Sequence, residues 1–417
     1  SEVAEFFHNS DGECFARVAV GTHHENHPIR SSDFRRLTAS LCWNEEGFVP
    51  SAQALSEAVN IFEAEARMSL KRQTAVRIGG DCDAIWLDLG GPTWEGVRIT
   101  ADGWSIQPLP EEPAFVRPKG MGELPRPVRG GSIKPMLQLL NLTKGQEILI
   151  LGWAVGVFNP EGAKPGLNYK GEQGTAKSTA GRITRKWIDP HSVLDRTLPR
   201  DERELLIAAK NNAILAFDNL SYLSDKLSDA FCRLATGGGF GTRELYSDAD
   251  ELLISVRRPV ISNGISDFIG RQDLIDRTIS IELRPIASTA RRLESEIWKE
   301  FREHHPAFLG ALLDGVVHAL RVGPGLKVDR LPRMADFALF AAASMGAFGY
   351  RPEDFLLAFE LNQMELVRTS LEAEPLAKAV RSLAEDIPRW ESTAADLLKA
   401  LAAKADPADT IGGGWPK

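Results

Sequence analysis

The chain has 417 residues, 43% hydrophobic and 25% charged, with a formal net charge of −8. That length exceeds what one core usually fills, so several folding units are expected, with ample apolar material to pack them. The acidic balance excludes a globally basic nucleic-acid binder; any DNA contact has to come from a local patch or from a channel shared among subunits.

Residues 1–115 read as an α/β unit. Positions 14–20 alternate like a strand, 32–41 and 51–70 have helical spacing, and 75–106 reads as a meander of short strands. Its turns are marked by Gly79-Gly80-Asp81, Gly90-Gly91-Pro92 and Ala101-Asp102-Gly103. His23, His24 and His27 surround Glu25, but no further ligand follows at metal spacing, so a solvated loop is expected there. The unit shows no acidic triad of the primase kind. An oligomerisation collar, a DNA-docking surface and a partner-docking site all remain open for it. The stretch 108–127 is dense in proline and ends on Arg129-Gly130-Gly131, which places a linker at 116–131.

From 132 to 286 helices and strands alternate, which favours a parallel sheet. The apolar run 148–158 is too short to span a bilayer comfortably and reads as a buried helix. A strand over 166–170 enters Gly171-Glu172-Gln173-Gly174-Thr175-Ala176-Lys177-Ser178, with a helix continuing from Thr179. Strand, glycine-rich loop and helix form the setting of a phosphate-binding loop. Backbone N–H groups and the helix N-terminus face the phosphates, Lys177 reaches the β- and γ-phosphates, and Ser178 ligates Mg²⁺. Ala176 stands where such loops usually carry glycine. ATP and Mg²⁺ are therefore the expected ligands.

A nucleotide site also needs an acidic residue at a neighbouring strand end. The apolar run 213–217 followed by Asp218 supplies it. Asn219, next in line, can orient a water but cannot take its proton, which leaves Glu172 and Asp225 as substitute bases. The strand 259–264 ends near Asn263, which is placed either to sense the γ-phosphate or to serve the turn before Gly264. Arg277 precedes a strand at 279–283, with Arg271 nearby; a lone arginine there is also compatible with a surface ion pair.

Beyond 287 the pattern turns helical, at 291–304, 307–320, 332–348 and 352–371. A helical domain is expected over 287–375, and 376–417 reads as the start of a winged-helix-like unit. Arg333 is expected to pair with Asp336. The start at Ser1 and the ending over 412–417 read as cut from a longer chain. No targeting signal is expected. The four scattered cysteines suit reduced thiols in the cytoplasm.

Taken in order, these motifs resemble the superfamily-three helicases. More narrowly, residues 132–286 resemble the ATPase module of phage, plasmid and poxvirus-type primase-helicases and of virulence-associated proteins. The segment that carries this is Thr236-Gly237-Gly238 followed by Arg243-Glu244-Leu245-Tyr246; Gly239 departs from an aspartate frequent in the family. The resemblance implies an AAA+ P-loop NTPase core with a parallel sheet, flanked by the N-terminal α/β domain and the C-terminal helical domain. It also implies a homo-oligomeric ring (a hexamer), ATP with Mg²⁺, translocation on single-stranded or forked DNA, and a primase as partner, with no membrane role. By position Lys177 and Ser178 bind phosphate and metal, Asp218 holds the metal, Asn263 senses the γ-phosphate and Arg277 reaches the neighbouring subunit's nucleotide. DNA contact falls on a hairpin over 243–258 through Arg243, Arg257 and Arg258. An AAA+ ATPase remodelling protein, and an ATP-binding switch with slow hydrolysis, are the alternative readings.

Overall fold

Three antiparallel strands open the chain, β1 (Ala4–His8), β2 (Cys14–Val20) and β3 (His23–Pro28), in the order β1-β2-β3. The computed structural model describes all residues except 1–3, 244–250, 265–268, 329, 388, 408–414 and 416–417. Cys14, Ala16 and Val18 alternate onto one face of β2 and pack against Phe34, Val59 and Ala66 of helices α1 (Ser32–Glu46) and α2 (Ala52–Met68). Ser31 and Ser51 cap these helices by accepting from the amides of Phe34 and Ala54. The expectation of a solvated loop at 23–27 is corrected, because these residues are β3, paired along its length with β2. Alternation places His23, Glu25 and His27 together, and Glu25 takes both imidazoles at 3.1 and 3.0 Å. Among the described residues no three His, Cys, Asp or Glu side chains gather as a ligand cluster, at these histidines or elsewhere.

A two-residue strand β4 (Thr74–Ala75) leads into a four-stranded antiparallel meander of β5 (Ile78–Gly80), β6 (Ile85–Asp88), β7 (Glu95–Thr100) and β8 (Gly103–Pro108); β9 (Ala114–Phe115) returns to pair with β4. Residues 116–131 then form no regular element, in keeping with their prolines. Their backbone is nevertheless satisfied by neighbours: Leu124 N donates to Leu89 O (2.8 Å), Gly122 N to Pro190 O (2.7 Å) and Val128 N to Pro306 O (2.9 Å). The stretch is a packed strap, since its amides find carbonyls on both sides.

Helices α3 (Lys134–Leu139) and α4 (Glu147–Gly156) precede β10 (Gly166–Lys170), α5 (Lys177–Ile188), α6 (Glu202–Lys210), β11 (Leu215–Leu220) and α7 (Asp225–Thr236). The chain continues through the hairpin β12 (Gly239–Arg243) and β13 (Glu251–Ser255), then β14 (Val260–Gly264), the short α8 (Gln272–Ile275) and β15 (Thr278–Glu282). Strands β10, β11, β14 and β15 form a parallel sheet in the order β11-β14-β10-β15. A one-residue parallel bridge from Arg196 to Phe217 extends it beyond β11. Helix α4 is buried over most of its length, as its unbroken apolar run requires.

The C-terminal part comprises α9 (Glu294–Val322), α10 (Ala335–Ser344), α11 (Pro352–Ala373), α12 (Pro375–Asp386) and α13 (Ala394–Lys404). By length and composition α9 alone among the described helices is apolar enough to cross a membrane, and 61% of that window is buried within the fold. One continuous core joins the meander (Ile85, Val97), the parallel sheet (Leu167, Ile261, Ile279) and the helices (Phe308, Leu312, Phe337).

A buried ion pair binds the meander to the parallel sheet. Arg77 is fully enclosed; its Nε donates to Asp189 Oδ1 at 3.1 Å, just past α5, while Nη1 and Nη2 donate to the carbonyls of Asp88 and Gly122. Asp189 Oδ2 in turn accepts from Ile214 N at 3.0 Å, at the entry to β11.

Candidate functional site

All strands of a parallel sheet deliver their C-terminal ends to one edge, so residues far apart in sequence meet there. Strand β10 ends at Lys170, and the chain turns through Gly171 (φ 147), Gly174 (φ 82) and Ala176 (φ 65) before α5 starts at Lys177. A Cβ on Gly171 would stand 3.0 Å from Leu283 O, so the glycine is required. Thr175 is buried and ties the loop to itself by donating to Glu172 O at 2.9 Å. Ala176 occupies left-handed backbone, which costs a residue with a Cβ about 1–2 kcal/mol. The one departure from the usual loop pattern thus falls where the conformation favours glycine.

Lys177 Nζ folds over the loop and donates to Gly171 O (2.7 Å) and Glu172 O (2.8 Å), and partial burial lowers its pKa. Ser178 Oγ donates to Asp218 Oδ1 at 2.7 Å. The same oxygen accepts from Asn263 Nδ2 at 2.7 Å, and Asn263 Oδ1 accepts from Asn219 N at 3.0 Å. The topology explains the meeting, because β14 lies between β10 and β11 and carries Asn263 to a point between loop and aspartate. Asn219 sits in left-handed backbone (φ 58), where the register between β11 and β14 slips, and its side chain is exposed. Glu172 is on the exposed part of the loop. Asp225 opens α7 at 87% side-chain exposure beside Arg271, and Arg271 pairs chiefly with Asp229 at 2.8 Å.

The remaining arginines lie elsewhere. Gly166 N, at the start of β10, donates to Arg277 O, so Arg277 is at the opposite edge of the sheet from the loop. Its Nη1 donates to Asp273 O at 2.6 Å, with the Asp273 carboxylate 3.6 Å away. The hairpin forms as an antiparallel pair. Arg243 closes β12 with its side chain outside the description, and Glu244, Leu245 and Tyr246 lie outside the described residues.

Arg257 and Arg258, read from the sequence as DNA-facing, are half-buried and spend donors on backbone carbonyls of their own chain. Arg257 Nη1 bonds to Glu161 O and to Gly162 O (3.3 Å). Arg258 Nε bonds to Ala209 O (3.0 Å) and Asn212 O (2.7 Å), and burial lowers its pKa to about 10. The expected Arg333–Asp336 pair is also corrected. Arg333 precedes the left-handed Met334, outside α10, and bonds to Asp276 with Asp273 at 3.6 Å.

Two residues of this region escaped the sequence reading. Arg182, one helical turn after Ser178 on the same face of α5, donates to Asp195 Oδ2 at 2.5 Å, and Asp195 stands next to the Arg196 bridge that flanks Asp218. The i, i+4 spacing from Ser178 was the available signal; Asp195 had none.

No curated protein matches the chain at a significant level. Among solved structures, the apo C-terminal region of NrS-1 aligns with a TM-score of 0.45 and 13% identity over 97% of this chain and 84% of that one. The SCCmec type IV Cch active helicase aligns with a TM-score of 0.46 and 14% identity over 93% and 79%. Both scores lie below 0.5, so neither likeness speaks to the site. The family described as actinomycete integrative conjugative element replication protein matches residues 133–358, more than half of the chain and a span that takes in the loop, Asp218 and Asn263. The chain belongs to this family of integrative-element replication proteins.

Proposed function

We propose that the chain is an ATP-dependent, ring-forming DNA helicase or translocase, with an AAA+ P-loop core, serving the element's replication in the cytoplasm. The observation that carries the proposal is the meeting of Ser178, Asp218 and Asn263 beside the loop, at 2.7 Å for both contacts to Asp218. No local sequence pattern requires that meeting, and it is the arrangement phosphoryl transfer calls for. Gly171, Gly174, Thr175, Ala176 and Thr179 shape or follow the cradle whose amides face the phosphates.

The donor set fits Mg²⁺: Ser178 Oγ and Asp218 Oδ1 are hard oxygen ligands already side by side. Bound there, the ion neutralises phosphate charge. Lys177 exchanges its two loop carbonyls for phosphoryl oxygens. Asn263, bonded to both Asp218 and the Asn219 amide, reports the presence of the γ-phosphate to the end of β11. Asn219 orients the attacking water without accepting its proton. Arg277, at the edge of the sheet away from its own loop, is assigned to the site of the next subunit in a hexameric ring. Hairpin β12–β13, with Arg243, grips single-stranded or forked DNA, and repetition round a ring gives an acidic chain a positive channel. A primase is the fitting partner.

One observation favours a second reading, an ATP-binding switch: Asn219 replaces the usual proton acceptor, and neither Glu172 nor Asp225 bonds to Asp218 or Asn219. Strand displacement on a forked duplex, with ATP and with a non-hydrolysable analogue, separates the two. Unwinding with ATP alone supports the helicase. Nucleotide binding without turnover supports the switch, and turnover without any response to DNA returns the remodelling ATPase.

A further inference from the structure

Arg291 stands over the phosphate loop. It follows the turn Ser288–Ala290 and precedes α9, and a Cβ placed on Gly174 would lie 3.8 Å from its Nη2. The segment that carries it is fastened on both sides. Before it, Leu283 N donates to Lys170 O at 2.9 Å, and Asn141 Nδ2 donates to Arg284 O (2.7 Å) and Thr175 O (3.5 Å). After it, Glu294 pairs with Arg182 of α5 at 3.7 Å, and Lys186 of α5 lies 5.2 Å from the Trp298 ring.

The guanidinium itself is uncommitted. Arg292, next to it, bonds to Glu300 at 2.6 Å, and Arg182 bonds to Asp195; Arg291 is exposed with no hydrogen bond or ion pair among the described residues. Lys177, the other cation of the loop, is bonded to two backbone carbonyls and to no carboxylate. Two cations thus flank one glycine-rich cradle without a counter-charge of their own, and a polyanion completes the arrangement. Arginine suits it because its planar fork takes two phosphoryl oxygens at once.

We propose that Arg291 is a phosphate-binding residue of its own subunit's site, holding the terminal phosphates of a nucleoside triphosphate together with Lys177. The inference rests on the ATP reading above and deepens it. It differs from the role given to Arg277, which acts between subunits.

The test is nucleotide affinity of the full chain, measured by calorimetry with Mg²⁺ for ATP and ADP, in the wild type, Arg291→Ala, Arg291→Lys and Arg292→Ala. Arg291→Ala weakens ATP by about tenfold or more, as loss of a charge-assisted contact does, and ADP by less. Arg291→Lys recovers part of the loss, and Arg292→Ala binds like the wild type. The melting temperature of nucleotide-free Arg291→Ala equals that of the wild type, since no intramolecular bond is removed. Unchanged ATP affinity in Arg291→Ala overturns the proposal, as does an equal loss in Arg292→Ala or a fall in nucleotide-free stability that accounts for the loss. A wild type that binds neither nucleotide overturns the ATP reading itself, and is distinguished by that control.

Discussion

Ser178 Oγ donates to Asp218 Oδ1 at 2.7 Å, joining the loop helix to a strand two places away in the sheet. The bond puts a hydroxyl and a carboxylate where one cation takes both. Asp218→Asn keeps an acceptor oxygen for Ser178 but removes the charge. Its ATP turnover falls by at least about 100-fold, the scale for losing one pre-organised polar group at a reacting centre, while the melting temperature changes little. Wild-type turnover in Asp218→Asn contradicts the assignment.

Ala176 is held at φ 65, ψ 32. Ala176→Gly relieves about 1–2 kcal/mol of left-handed strain, partly offset by about 0.4–1 kcal/mol of extra freedom in the unfolded chain. The urea midpoint rises; a fall contradicts the strain.

Arg77 and Asp189 form an enclosed pair, 3.1 Å apart and shielded from water. Arg77→Met leaves the Asp189 carboxylate buried without its cation and destabilises the chain by about 3–5 kcal/mol. Arg77→Met with Asp189→Leu loses less than the sum of the single changes, because neither partner then strands a charge. Additive losses in denaturant titrations contradict the coupling.

His305 packs against Phe301 and bonds to Trp187 O at 3.0 Å, and burial lowers its pKa from 6.5 to about 4. The unfolded chain therefore binds the proton more readily. Stability from the neutral ring is complete above about pH 6.5 and is lost as the pH falls from there through 4. In His305→Gln the melting temperature declines less steeply across that window; an identical slope contradicts the prediction.

Much of the site is legible in the sequence because its parts are local patterns. Strand, glycine-rich loop and helix mark Gly171–Ser178, and an apolar run ending in a polar residue marks Asp218 and Asn263. Arginine partners are not legible in that way. Arg257 and Arg258 spend their donors on carbonyls of residues 161, 162, 209 and 212, which come near only in the folded chain. The composition of 23–27 conceals a strand, since its His, Glu and Asn side chains give no apolar alternation while β2 supplies the pairing. The prolines of 116–131 exclude a helix there but do not tell whether the amides meet water or the carbonyls of Leu89, Pro190 and Pro306. Arg291 is likewise silent in sequence, because its distance from Gly174 depends on how the loop after β15 folds back.

The steady-state rate of ATP hydrolysis, with and without single-stranded DNA, in the wild type and in Lys177→Ala, tests the central claim most directly. The account predicts turnover that DNA raises in the wild type and that Lys177→Ala abolishes under both conditions. Wild-type hydrolysis that is absent, or that DNA leaves unchanged, contradicts a DNA motor.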